Sequence, residues 1–146
     1  MPLPVELPEP FHEVISASDS PLIGAWISAG SATNAEILAA AGFDFLLVDA
    51  EHSPYGLETV THLLRATDVY GPARIVRVQS NDTVLIKQYL DLGAQNIMVP
   101  MVESASEAAA AVAAMHYPPR GVRGVGSALA RSSRWNAVEG YLARAS

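Results

Sequence analysis

The 146-residue chain contains no cysteine. That excludes disulfides, thiolate metal sites and cysteine nucleophiles together, and it fits a reducing cytosol. Charge is sparse as well: Asp, Glu, Lys and Arg make up 16% of residues, the formal net charge is −6, and no run of Lys or Arg occurs. A nucleic-acid backbone or an anionic membrane surface is therefore not an expected partner. No stretch approaches the roughly 18 uncharged apolar residues that a membrane span requires. The first ten residues, Met-Pro-Leu-Pro-Val-Glu-Leu-Pro-Glu-Pro, carry acids and prolines where a signal peptide carries a basic end and an apolar centre. Residues 1–21 read as an extended lead-in, residues 22–146 as the folded domain, and the protein as cytoplasmic.

What the chain has in quantity is apolar surface. Half of it is hydrophobic, 50%, enough to offset the ordering entropy of a folded domain. Four apolar, β-rich runs are expected as strands: Leu22–Ile27, Phe43–Asp49, Arg74–Val78 and Asn96–Met101. Helical patterns lie between and after them, over Ala32–Ala41, Leu57–Val69, Thr83–Leu92 and Ser104–Met115, and Ala137–Ser146 is helix-like. The punctuation agrees. Gly42 and Gly93 sit where a C-terminal cap glycine belongs, and Gly71-Pro72 stops the second helix. Asn81 or Asp82 can cap the third, and Ser104 with Glu107 has capping-box spacing for the fourth.

The strands are near-continuous apolar runs without polar alternation, as expected of a parallel sheet covered on both faces. Such a β/α repeat is either a doubly wound sheet or part of a barrel. A dinucleotide-binding sheet would place G-x-G-x-x-G directly after its first strand; here Ser28-Ala-Gly-Ser-Ala32 follows instead. Gly121-Val-Arg-Gly-Val-Gly126 has glycines in number but follows a helix and opens none. The barrel is the better reading. A complete (β/α)8 barrel takes about 250 residues, so about four β/α units make up only part of one. Half a barrel has two bare parallel edges. The expectation is a truncated or partly recorded polypeptide, or a partner that supplies the remainder.

In a barrel, chemistry gathers at the C-terminal strand ends. After the second strand comes Asp49-Ala-Glu51-His52-Ser-Pro54. His52 is open to three roles: general base, metal ligand or structural loop residue. Its two acidic neighbours favour a chemical role, because a carboxylate both orients an imidazole and raises its basicity. Three ligands packed in one short loop rarely converge on one ion, which disfavours a local metal site. Arg77 closes the third strand, and an arginine in an apolar strand needs a partner. It is either a fixed cation for a carboxylate or developing enolate, or an interior salt bridge to Asp49 or Asp82. Arg74 reads as a solvated charge, and Asp91 as a surface acid oddly close to a negative helix end. His12, His62 and His116 lack acidic company and default to structural or solvent roles. The long Tyr117–Trp135 segment is expected to be functional or interfacial.

These residues carry a resemblance. Phe-Asp-Phe-Leu-Leu-Val-Asp-Ala-Glu-His-Ser-Pro (43–54), Val-Arg-Val-Gln-Ser-Asn-Asp (76–82) and Ile-Lys-Gln-Tyr-Leu-Asp-Leu-Gly (86–93) resemble the HpcH/HpaI aldolase family, the metal-dependent 4-hydroxy-2-oxoheptanedioate aldolases. So do Val-Pro-Met-Val (99–102) and, most specifically, Tyr-Pro-Pro-Arg-Gly-Val-Arg-Gly-Val-Gly-Ser-Ala-Leu-Ala-Arg-Ser-Ser-Arg-Trp (117–135). The resemblance implies a class II pyruvate aldolase on a (β/α)8 barrel, usually a hexamer, with residues 22–146 as the N-terminal part of that barrel, cut before the metal-ligand strands. Its substrates would be a 2-oxo acid and an aldehyde, and its cofactor a divalent cation such as Mg, Mn or Co. It further implies His52 as the base, Arg77 as the enolate-stabilising cation, and Asp91 as the acid that raises the histidine's basicity, across a subunit contact if need be. Asp49 and Glu51 match the strand-end motif. The family's metal ligands, a Glu and an Asp in V-E-T and G-P-x-D-L motifs, have no counterpart in these residues. The segment alone is therefore expected to be inactive. The alternative is a catalytically dead half barrel serving as an assembly or binding module.

Overall fold

The computed structural model describes residues 7–145. Four strands, β1 (Gly24–Ile27), β2 (Phe45–Asp49), β3 (Ala73–Arg77) and β4 (Asn96–Met98), form one parallel sheet in the order β1-β2-β3-β4. Strand order thus follows chain order with no reversal. A doubly wound sheet needs a reversal at its ligand crevice, whereas a barrel adds each strand beside the last. The expected (β/α)8-type half barrel is what forms.

Each strand is followed by a helix: α2 (Ala32–Ala40), α3 (Leu57–Thr67), α4 (Thr83–Asp91) and α5 (Ala105–Met115). The starts of α2, α4 and α5 are set by local chemistry. Ser31 Oγ accepts the Asn34 N–H, Asp82 Oδ1 accepts the Leu85 N–H, and Ser104 and Glu107 complete a reciprocal capping box. Helix α4 ends in a Schellman turn, with the Gly93 and Ala94 N–H groups on the Leu90 and Tyr89 carbonyls and Gly93 at φ 99°. A side chain at Gly93 would also run into the Arg131 guanidinium.

Alternation along the strands sorts residues onto two faces. Leu46, Val48, Ala50, Val76 and Val78 turn toward the helices and pack in one core with Ala35, Val60, Leu63, Leu64, Ile86, Tyr89 and Ala111. The register aligns the other face in layers. Gly24, Phe45 and Ala73 form the lowest, Trp26, Leu47, Ile75 and Asn96 the next, and Asp49, Arg77 and Met98 the uppermost. Phe45 lies over Gly24, where a Cβ would collide with its ring.

The lead-in is not extended throughout. Residues Phe11–Ser16 form a short helix, α1, that closes the lower end of this second face. Phe11 meets Phe45 with ring centroids 5.0 Å apart, and its N–H donates to Asn96 Oδ1 at 2.8 Å. Six residues are too few to show helical periodicity, and the helix is held by this contact. Residues 1–6 of the lead-in lie outside the described residues.

Three other expectations shift. β4 stops at Met98 because Pro100 has no N–H to continue the ladder and Met101 takes a left-handed conformation, φ 56°. The C-terminal helix shrinks to α6 (Tyr141–Arg144), beginning after a left-handed Gly140; Ser146 lies outside the described residues. Arg74 is not a solvated charge: it is 8% exposed, donates to the Thr67 carbonyl at 3.0 Å and faces Asp68 at 3.4 Å.

Candidate active site

β2 and β3 pair residue for residue, which sets Asp49 directly opposite Arg77. Both are on the face turned from the helices, at the C-terminal strand ends. The pairing is bidentate: Arg77 Nε donates to Asp49 Oδ1 at 3.0 Å and Nη2 to Oδ2 at 2.9 Å. Nη1 lies 3.1 Å from Glu51 Oε2. One guanidinium therefore clamps both acids of the loop. His52 extends the line, its Nε2 3.6 Å from the same Glu51 oxygen, with the imidazole 73% exposed.

The loop bends back on Asp49. Its Oδ1 also accepts the N–H groups of Glu51, at 3.1 Å, and His52, at 3.2 Å. Burial works against charge on Asp49, but the Arg77 hydrogen bonds and these two N–H donors outweigh it and hold its carboxyl below the ordinary range. Asp49 in turn raises Arg77 above its usual value. Asp82, the other partner considered for Arg77, caps α4 instead.

Two aromatic residues not singled out in the sequence support this arrangement. Trp26, the third residue of β1, presents its ring to Arg77, with Cζ 4.6 Å from the centroid. It is 52% exposed. Its signal was its place in a strand, but its facing Arg77 depends on a register that no local pattern encodes. Tyr55 donates its hydroxyl to the Ile27 carbonyl at 2.7 Å, tying the loop after β2 to the end of β1. Gly30, at φ 66°, lets the backbone approach the Tyr55 ring.

Asp91 is elsewhere. It closes α4, and helices of a β/α unit run back from the C-terminal to the N-terminal strand ends, so Asp91 and His52 lie at opposite ends of the layers. Asp91 Oδ1 accepts from Arg123 Nη2 at 2.8 Å. The structure brings Asp49, Glu51, His52 and Arg77 together and leaves Asp91 apart.

The donor set does not fit a metal centre by itself. Among the described residues no three His, Asp or Glu side chains converge, and both loop carboxylates are directed at Arg77.

Residues 22–140 match the HpcH/HpaI aldolase/citrate lyase family. The chain belongs to that family. It is 52% identical over 135 residues to a 4-hydroxy-2-oxo-heptane-1,7-dioate aldolase of Salmonella heidelberg (strain SL476), a match covering 92% of this chain and 51% of that protein. An HpcH/HpaI aldolase/citrate lyase family protein from Burkholderia cenocepacia J2315 superposes with a TM-score of 0.87 at 35% identity, over 92% of this chain and 55% of the other. The citrate synthase SbnG is 32% identical with a TM-score of 0.66, over 71% of this chain and 43% of the other. The chain spans about half the length of the curated relatives it matches. For this HpcH/HpaI member the sheet order is thus that of half a TIM barrel, and Asp49 to His52 occupy the upper rim.

Proposed function

We propose that the whole protein is an aldolase that makes or cleaves 4-hydroxy-2-oxo acids, joining the enolate of pyruvate or a related 2-oxo acid to an aldehyde. The observation that carries this reading is the continuous line Arg77–Glu51–His52, braced by Asp49, at the rim of an open strand-end face. His52 acts as base, taking a proton from the carbon beside the keto group. Its exposed imidazole can reach a substrate while Glu51 orients it. Arg77 stabilises the oxygen on which negative charge develops. Three of its five N–H donors engage Asp49 and Glu51, which leaves donors for a substrate oxygen without releasing the clamp.

Asp91 raises the basicity of His52 from a second copy of the chain, which is consistent with its position at the opposite end of the layers. The active form is then a homo-oligomer, a hexamer by family resemblance. The divalent cation, Mg, Mn or Co, belongs to the whole protein rather than to the residues described, and no step assigned to this chain's residues runs through it. The cytoplasm is the proposed location. In support, cysteine is absent, and among the described residues no helix is long and apolar enough to cross a membrane.

The deciding experiment follows exchange of the pyruvate methyl protons in deuterated water by NMR, using the intact protein with added Mg, Mn or Co. Wild type is expected to exchange and His52→Ala to lose exchange while retaining cation affinity. Unchanged exchange in His52→Ala removes His52 as base. No exchange by wild type with any of the three cations favours the binding or assembly module.

A further inference from the structure

Arg123 is the least exposed arginine among the described residues, at 2%, and the chemistry proposed above makes no use of it. Its place is fixed from several sides. Gly121 crosses the end of α5 so closely that a Cβ would collide with the Ala113 and His116 carbonyls. Past it, the Val122 N–H donates to the Ala113 carbonyl at 2.8 Å and the Arg123 N–H to the His116 carbonyl at 2.9 Å. The guanidinium then lies over the Tyr117 ring, with Cζ 4.5 Å from the centroid. Farther along, Asp68 pins the same long loop beneath α3 and α4. Arg134 Nη2 is 3.0 Å from its carboxylate, Arg131 Nη2 donates to Oδ2, and Arg131 also donates to the Leu92 carbonyl at 2.8 Å.

What this fixed cation addresses is Asp91. Nη2 donates to Asp91 Oδ1 at 2.8 Å, with the Tyr141 hydroxyl 3.4 Å from the same nitrogen. Nε is buried with no partner. Burial selected for stability alone would satisfy every donor of the guanidinium, because an orphaned buried donor costs free energy. Asp91 is no better placed for stability. It is the last residue of α4, at the negative end of the helix, where a carboxylate is disfavoured. A buried ion pair is in any case weak support for a fold compared with apolar packing. The pair is better explained by where it puts the carboxylate.

The Asp91 side chain stays 27% exposed, and its Oδ2 accepts no hydrogen bond among the described residues. It lines a hollow of about 410 Å³ that Leu129 and Trp135, both exposed, also border. One oxygen is thus anchored from inside the chain, and the other is left for a donor that arrives from outside.

We propose that Arg123 is a positioning residue for the aldol chemistry, holding Asp91 so that its free oxygen can meet the imidazole of His52. The proposal rests on the role given to Asp91 above and adds a residue that never touches substrate.

Steady-state kinetics on the intact protein, with added Mg, Mn or Co, compare Arg123→Met, Arg123→Lys and Asp91→Asn, each checked for folding by circular dichroism. Arg123→Met is expected to lower kcat about 10²-fold with KM for the 2-oxo acid unchanged, as a misplacement of about 1 Å in the catalytic geometry does. Arg123→Lys keeps the charge but not the planar fork, so it should recover part of the rate. It also stands in throughout should Arg123→Met fail to fold. Combining Arg123→Met with Asp91→Asn should be no slower than Asp91→Asn alone, because the two residues act as a unit. Co-refolded mixtures of the two single variants should show no recovery, since every Asp91 in them is defective. Three results overturn the proposal alone: wild-type kcat in both Arg123 variants while Asp91→Asn is impaired, losses that multiply in the double variant, or recovery in the mixture. A fully active Asp91→Asn overturns the role of Asp91 and the proposal with it.

Discussion

The indole of Trp26 lies against the guanidinium of Arg77, with Cζ 4.6 Å from the ring centroid, while the guanidinium edge is held by Asp49. A flat cation is thus supported on its face by one strand and along its edge by another. The arrangement removes most of the rotamer freedom that would otherwise blur the position of the charge.

If Arg77 has the proposed role, Trp26 is a positioning residue, and its removal should act through Arg77. Cation–π support of about 0.5–2 kcal/mol implies a fall of about 2- to 30-fold in kcat/KM for the 2-oxo acid in Trp26→Ala. Trp26→Phe should restore most of it, since it keeps a ring face. Steady-state kinetics on the intact protein check this. A lowered Tm with unchanged kcat/KM in Trp26→Ala would reduce the contact to structural support.

Arg77 should couple rate to acid stability. Its replacement by Ala is expected to cost about 10²–10³ in rate, as loss of an oxyanion stabiliser does. A loss below about threefold would return Arg77 to a purely structural salt bridge. The pH effect has a defined sign. The folded-state pKa of Asp49 is depressed, so its contribution to stability is complete above the unfolded value of about 3.9 and is lost as pH falls through the folded value. Glu107, depressed by hydrogen bonds from the Glu103 and Ser104 side of the α5 cap, acts with the same sign. Unfolding followed from pH 7 to pH 2 should show Asp49→Asn losing part of the acid limb that wild type retains.

Asp68 holds the lower end together. Burial pushes Arg74 and Arg131 below the ordinary guanidinium value, and the Asp68 charge opposes it. Asp68→Ala strands buried cations and should cost about 3–5 kcal/mol. Denaturant unfolding measures the loss, and limited trypsin digestion should expose Arg131 and Arg134. Resistance equal to wild type would show that the loop is held by other means.

Asp91 and His52 can be separated by complementation. Asp91→Asn and His52→Ala should each lower aldol cleavage by roughly 10²-fold or more, as loss of general-base function does. Co-refolded mixtures of the two variants should recover part of the activity, because some sites then combine an intact His52 with a partner's intact Asp91. Mixtures no more active than the separate variants would place both residues in one chain's site or dismiss Asp91.

Much of this was legible in the residues themselves. Helix starts at Asp82 and Ser104, and stops at Gly42 and Gly93, are written in short-range chemistry that needs no distant partner. The apolar runs marked the strands, and the missing glycine fingerprint after β1 favoured the barrel that the unreversed strand order confirms. The loop Asp49-Ala-Glu51-His52 could be chosen because three functional groups follow a buried strand.

Tertiary structure alone decided which of these groups meet. Nothing local assigns Arg77 to Asp49, 28 positions away, rather than to Asp82, because pairing follows from strand register. The same register brings Trp26 under the guanidinium. Arg74 looked solvated from its neighbours in the chain and is buried because Asp68 and the Thr67 carbonyl converge on it. The helix at Phe11–Ser16 exists through its contact with Phe45 and Asn96. Sequence patterning reports what a segment can do within a few residues of itself, whereas long-range pairing is chosen by the shared geometry of the sheet.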